Sequence, residues 1–314
     1  MLHRLVSLVL EITVLSGAVA VAAPPVKHPN LLLNRDEIEQ VKAKIAKYPW
    51  AAAALEKTKE HALNGPAHEN AFLDQALYYT FTGDKSFADR ARAELLASAK
   101  SELPVFQKLD LATNREFGSW SPWGARAWTY DLIYESCSDA ERAQIEEWFR
   151  VSCRVLIDTC KRWSTTPNLM FGKHVNIGLV GYCLGDREII DWVLNDPGAF
   201  GPQRGGFYPV MDTMIKDGRF WAEAPIYALV YDVPNMLALA EAARHYDGTD
   251  LYHWTSKKSD ASIKSVVDGY LLMGYCPQWQ RRQEHPADPP AADDQGVPRR
   301  CISCGGPGGP TAHL

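Results

Sequence analysis

From Asn34 onward the apolar positions of the chain fall at helical spacing. Ile38, Val41 and Ile45 follow the capping residues Asn34 and Asp36, and an alanine-rich run from Trp50 to Leu63 continues the pattern. No convincing alternation of apolar and polar residues occurs before Met273, so the chain reads as a succession of helices. A punctuation recurs between them. Gly83-Asp84 follows Tyr78-Tyr79-Thr80-Phe81-Thr82, Gly185-Asp186 follows Tyr182-Cys183-Leu184, and Gly248-Thr249-Asp250 follows His245-Tyr246-Asp247. Each unit has a glycine where a helix needs a left-handed C-terminal residue, and an aspartate placed to cap the next helix. The pattern predicts antiparallel helical hairpins. Such hairpins stack as a solenoid or close into an α/α toroid, and periodicity alone does not choose between them. Two connections are long enough to line a groove: Glu102 to Trp120, and the glycine- and proline-rich stretch from Asp196 to Tyr208. A further helix is expected to begin near Pro225 and to kink before Pro234.

Composition narrows the class. At 314 residues, 46% hydrophobic and 23% charged, the chain fits neither a disordered protein nor a membrane bundle. Residues 1–23 have the outline of a secretory signal peptide: Arg4, an apolar run from Leu5 to Ala23 broken by Glu11, and small residues at Ala20 and Ala22 before Pro24-Pro25. Export to a bacterial periplasm or beyond is the expectation, with no membrane attachment after cleavage. The body spans residues 24–275. Residues 276–314, with Cys301-Ile302-Ser303-Cys304 and the end Gly305-Gly306-Pro307-Gly308-Gly309-Pro310, lose the apolar periodicity and are expected to be disordered, as in a truncated or frameshifted reading frame. The seven cysteines do not form a disulfide framework, and Cys137, Cys153, Cys160 and Cys183 read as buried thiols. A net charge of −5 argues against nucleic acid as partner. A polyanionic ligand would have to be held by local cations such as Lys173, Arg204, Lys216 and Arg219.

The chemistry-bearing residues concentrate between Asn168 and Tyr246. Lys173-His174-Val175-Asn176 opens one apolar run, and Asp217-Gly218-Arg219-Phe220-Trp221-Ala222-Glu223-Ala224-Pro225-Ile226-Tyr227 opens the next. These residue types can neutralise a sugar carboxylate and move a proton beside it. Tyr227 and Tyr231 are four residues apart and share a helical face. Trp120, Trp123 and Trp128, with Arg126 and Tyr130, are candidates for a platform that stacks sugar rings, although indoles at helical spacing also serve as core. The histidines are scattered without ligand spacing, and no glycine-rich loop precedes a Lys-Ser or Lys-Thr pair, so neither a metal nor a nucleotide cofactor is expected.

Four stretches carry a resemblance: His28-Pro29-Asn30-Leu31-Leu32-Leu33-Asn34, Trp120-Ser121-Pro122-Trp123-Gly124-Ala125-Arg126-Ala127-Trp128-Thr129-Tyr130-Asp131, the His174/Asn176 segment, and Asp217 to Tyr227. Over roughly residues 28 to 275 the chain resembles the alginate lyase and heparinase II/III-like polysaccharide lyases. The resemblance implies an all-α fold, an incomplete (α/α) toroid of antiparallel helical hairpins; in those lyases β-sandwich material follows, and the sequence after residue 275 has no such pattern. It implies β-elimination across a glycosidic bond of an acidic, uronic-acid-containing polysaccharide such as alginate, without a cofactor. Tyr227 corresponds to the proton-transfer residue, with Tyr231 as its rival. His174, Asn176 and Arg219 are then the groups that neutralise the uronate carboxylate, because the proton on the adjacent carbon is only weakly acidic until donors stabilise the developing enolate. The family pattern has adjacent Asn and His, whereas here the order is His-Val-Asn. A phenol, which ionises near ~10 in water, needs cations beside it to act as a base, and Arg219 and His174 are the suppliers. Glu223, Tyr231, Trp120, Trp123, Arg126 and Lys173 are the expected substrate contacts, with Glu223 also placed to orient Arg219 or His174. Two alternatives stay open: a toroidal glycoside hydrolase using Asp217 and Glu223 as its carboxylic acids, and an inactive carbohydrate-binding fragment.

Overall fold

The computed structural model describes residues 26–65, 71–109 and 123–274. The expected leader, the tail after residue 275 and Trp120 lie outside the described residues. The order of helices is α1 (Arg35–Lys47), α2 (Pro49–Asn64), α3 (Ala71–Thr82), α4 (Lys85–Lys108), α5 (Trp123–Ile133), α6 (Asp139–Arg162), α7 (Pro167–Leu184), α8 (Arg187–Asn195) and α9 (Phe207–Thr213). A hairpin of two short strands follows, β1 (Ile215–Lys216) and β2 (Phe220–Trp221), then α10 (Pro225–Tyr227), a π-helical turn (Ala228–Asp232), α11 (Val233–Asp247) and α12 (Ile263–Gly274). The fold is all-α, and the hairpin is the sole sheet among the described residues. No described helix is long and apolar enough to cross a membrane.

The helices form two layers. α3, α5, α7 and α11 touch one another in succession as an inner row, while α4 and α6 pack together outside them and α8 lies against α7. This inner-and-outer alternation is the arrangement expected of a toroid arc. Burial follows it. Nearly every residue of α5 is buried and so is most of α7, whereas α6 and α8 bury one side. Helices apolar all round belong inside, and one-sided helices belong at the boundary. Two glycines of α7 let the layers meet closely: a β-carbon on Gly178 or Gly181 would come within 2.6 Å of the Val193 or Ile189 side chain of α8.

The caps explain the element boundaries. Asn34 with Glu37 and Ser138 with Glu141 form reciprocal capping boxes, and Asp84 and Asp186 cap α4 and α8 through the backbone N–H groups of Ser86 and of Glu188 and Ile189. Gly83, Gly185 and Gly248 all have positive φ, as the punctuation predicts. The third unit departs from it, because Asp250 accepts from the His253 backbone N–H in a turn and starts no helix. The expected connection from Glu102 is also shorter at its start. α4 continues through Pro104 to Lys108 because Leu95, Ala99 and Phe106 extend its buried stripe, and Phe106 meets the Trp123 ring edge-on at 5.6 Å. Packing along that stripe outweighs the roughly 3 kcal/mol a mid-helix proline costs.

Candidate active site

α7 starts seven residues before His174, with Pro167 at its first position, so His174 and Asn176 sit in mid-helix and not at a helix start. Two positions apart, they face different neighbours. His174 is 1% exposed. Its ring stacks on Trp192 of α8 at 4.1 Å, Nδ1 meets the Met170 carbonyl at 2.9 Å, and Nε2 meets the Asp196 carboxylate at 2.8 Å. With both nitrogens engaged and the ring enclosed, no donor of His174 is left for a substrate. In this arrangement His174 joins α7 to α8. Asn176 points toward α5. Its Oδ1 accepts from the Gly124 backbone N–H at 2.8 Å, capping α5, and its Nδ2 donates to the Gly172 carbonyl at 2.8 Å. Asn176 is half-buried, and one amide hydrogen is unassigned among the described contacts. Lys173, beside it, is also half-buried.

Trp123 and Arg126 belong to the core. Trp123 is 2% exposed, packed among Phe106, Trp148 and Phe149. Arg126 donates twice to the Glu102 carboxylate, at 2.7 and 3.0 Å, and its guanidinium lies 4.9 Å from the ring centres of both Trp123 and Trp148. Both side chains are thus enclosed, with the Arg126 guanidinium over the Trp123 and Trp148 rings.

The second half of the candidate site lies on the chain from 215 to 237. Asp217 and Gly218 have φ of 51° and 65°, and the Arg219 N–H donates to the Lys216 carbonyl at 3.0 Å. Asp217 and Gly218 are the central residues of a tight turn within the three-residue connection, Asp217 to Arg219, that joins β1 to β2, so Asp217 belongs to a hairpin and opens no helix. The turn carries Arg219 outward. Arg219 packs against Gly269 of α12 and lines an open cavity of about 620 Å³ with Lys216, Asp217, Lys258 and Asp260. Glu223 does not orient Arg219 or His174. Its Oε2 accepts from the Asn168 backbone N–H at 2.8 Å and from Trp221 Nε1 at 3.0 Å. Thr166 provides no side-chain cap to α7, so the Glu223 carboxylate supplies it from fifty-five residues away, where the helix dipole favours a negative charge.

Beyond Glu223 the backbone makes a short α turn, then the π turn. The Val233 N–H reaches five residues back to the Ala228 carbonyl. Pro234 causes this: lacking an N–H, it cannot serve the carbonyl four residues before it, and a wider turn absorbs the break. A helix does begin at Pro225, and the irregularity before Pro234 takes the form of this π turn. Within the π turn only Ala228 and Asp232 are buried. Tyr227, 44% exposed, Tyr231, Ile226, Leu229 and Val230 all lie on the outside. α7 packs against this turn and against α11, where Asn235 approaches Gly172. The structure therefore brings Glu223 to the start of α7 and places the tyrosine turn along the same helix that carries Lys173 and Asn176.

Asp232 was not evident from residue types alone. It is 0% exposed and neither carboxyl oxygen has a partner. Burial, with the Glu223 charge adding to it, raises its pKa to about 8. The available signal was its place on the apolar stripe shared by Ala228, Met236 and Leu239. Among the described residues two groups of potential metal ligands are already engaged within the protein. His28, Asp131 and Cys183 converge, but Asp131 accepts from His28 Nδ1 at 2.7 Å and from the Asn30 and Leu31 backbone N–H groups, each at 2.8 Å, and burial pushes the Cys183 thiol well up. Glu37, Glu241 and His245 surround the Arg244 guanidinium, which itself supplies their positive partner. The first cluster pins the N-terminal segment to α5, and the second ties α1 to α11.

No family model matches the chain. Among characterised proteins it is similar to an alginate lyase of Stenotrophomonas maltophilia (strain K279a), 25% identical over 293 residues, covering 83% of this chain and 38% of that protein. The chain therefore spans well under half the length of the relative it matches.

Proposed function

We propose that this chain is a polysaccharide lyase that cleaves a uronic-acid-containing polysaccharide by β-elimination, with Tyr227 as its proton-transfer group. The observation that carries the reading is the exposed phenol of Tyr227 on a turn braced against α7, in a chain similar to an alginate lyase. In such a reaction the proton leaves the carbon bearing the carboxylate, a carbon–carbon double bond forms, the glycosidic carbon–oxygen bond breaks, and the departing oxygen takes a proton. Stabilising the enolate requires donors or cations at the carboxylate. Lys173 and the remaining amide hydrogen of Asn176 are the candidates on α7, and Arg219 is a candidate from the hairpin. Tyr231 remains the second phenol on the same turn. The hydrolase alternative loses its acid pair, since Asp217 belongs to a hairpin turn and the Glu223 carboxylate is engaged at α7. An N-terminal export signal and a periplasmic or secreted location complete the proposal, checked by sequencing the N-terminus of the mature protein.

The test is ultraviolet absorbance of the purified protein with alginate, glucuronan, hyaluronan, chondroitin and heparan substrates. An absorbance rise from an unsaturated uronate, abolished in Tyr227→Phe, is the expected result. New reducing ends without absorbance, or full activity in that variant, would overturn the reading.

A further inference from the structure

Among the described residues two aspartates are buried, and they are treated in opposite ways. Asp131, 1% exposed, receives three hydrogen bonds, two from backbone N–H groups and one from His28. Asp232, fully buried, receives none. An ionised carboxylate enclosed without a donor is costly, while the neutral acid is far less so. The groups bearing on Asp232 reinforce this. Glu223, after β2, adds negative charge, and Tyr270 of α12, itself pushed up by burial and by Asp232, contributes a neutral phenol. α7, the other helix against the turn, carries Lys173 and His174, and His174 is committed to Met170 and Asp196.

The position of Asp232 gives the missing proton partner a consequence. The π turn presents Leu229, Val230 and Tyr231 to solvent, and its inward anchors are Ala228 and Asp232. Ala228 offers a single methyl. The turn therefore stays seated as long as Asp232 remains inside.

We propose that Asp232 is a positioning residue: as a neutral carboxylic acid it seats the π turn that carries Tyr231 and follows Tyr227, and loss of its proton releases that turn and both phenols. The proposal rests on the lyase reading only where activity is measured. Its structural part stands on the buried, unpartnered carboxyl and the two-residue anchorage. The pKa of Asp232, raised by burial to about 8, places the release on the alkaline side of neutrality.

The experiment is amide hydrogen exchange of the full chain, followed by mass spectrometry for peptides covering residues 224–236, from about pH 6 to about pH 9.5, with rates corrected for intrinsic chemistry and α6 peptides as reference. Protection of the turn is expected to fall about tenfold per pH unit above the midpoint, while α6 is unchanged, and Asp232→Asn is expected to abolish the dependence. Glu223→Gln, which removes the neighbouring charge, should move the midpoint to lower pH, and this keeps the proposal testable if Asp232→Asn fails to fold. In the absorbance assay the ratio of kcat at about pH 9 to that at about pH 6.5 should be higher in Asp232→Asn than in the unsubstituted protein. A pH-independent turn, or the same dependence in Asp232→Asn, overturns the proposal. If no polysaccharide is cleaved, the lyase reading fails while the exchange measurement still decides this one.

Discussion

α7 and the stretch from 215 to 237 carry the same kinds of residue, and the fold uses them oppositely. On α7, His174 and Asn176 sit in the inner row with neighbours on both sides. Both ring nitrogens of His174 are engaged by Met170 and Asp196, and the Asn176 amide bonds Gly124 and Gly172. On the later stretch, Arg219, Tyr227 and Tyr231 stand on turns with solvent beside them. A buried polar group must find a partner within the protein, and partners in an inner helix are other helices. Histidine and asparagine thus become joints between layers when they fall on α7, and the most exposed of the candidate groups are the ones whose backbone bends outward. Burial, and not residue type, separates the scaffold from the candidate chemistry.

That contrast can be broken at several points. The largest expected effect is at the exposed end: Tyr227→Phe should lower kcat by about 10²- to 10⁴-fold with unchanged thermal unfolding, and Tyr231→Phe by much less. Equal losses in both would assign the phenols a shared role. Next comes the buried acid. Folding raises the Asp232 pKa above its unfolded value, so its contribution to stability is complete below about pH 4 and is lost as pH rises toward about 8. Asp232→Asn does not titrate, and its stability relative to the unsubstituted protein should grow by about 1.4 kcal/mol per pH unit across that window, read from urea midpoints. A constant difference would mean that the carboxyl stays in one protonation state. In the inner row, His174→Ala should cost about 2–4 kcal/mol of stability, because it strands Asp196 and empties the space over Trp192. A variant that unfolds normally but loses only activity would move His174 back to the substrate. The smallest effect is that of Asn176→Ala, about 1–2 kcal/mol from the uncapped start of α5. A loss of activity beyond that destabilisation would assign its spare amide hydrogen to the substrate.

The sequence made the layers legible because caps and positive-φ glycines are local signals, and Asn34, Asp84, Asp186, Gly83 and Gly185 stand where spacing put them. The site was legible only in part. Asp217-Gly218 reads equally as a helix cap or a hairpin turn, and strands of two residues are too short to show alternation. Thr166-Pro167 did mark the true start of α7, but the run Lys173 to Asn176 drew the boundary inward. The partners Trp192 and Asp196 for His174, and Asn168 for Glu223, come from contacts between elements, which no spacing encodes. Pro234 announced a break in the helix. That the break is a π turn, with an acid beneath it, depends on how the neighbouring helices close over it.

The oxygen of Glu223 that caps α7 also holds the indole of Trp221, so the first turn of the inner helix and the base of the tyrosine turn share one bolt. A cation or sugar hydroxyl that competes for this carboxylate would slacken both at once. The helix anchored there is the one whose later turns bind α5 and α8 together.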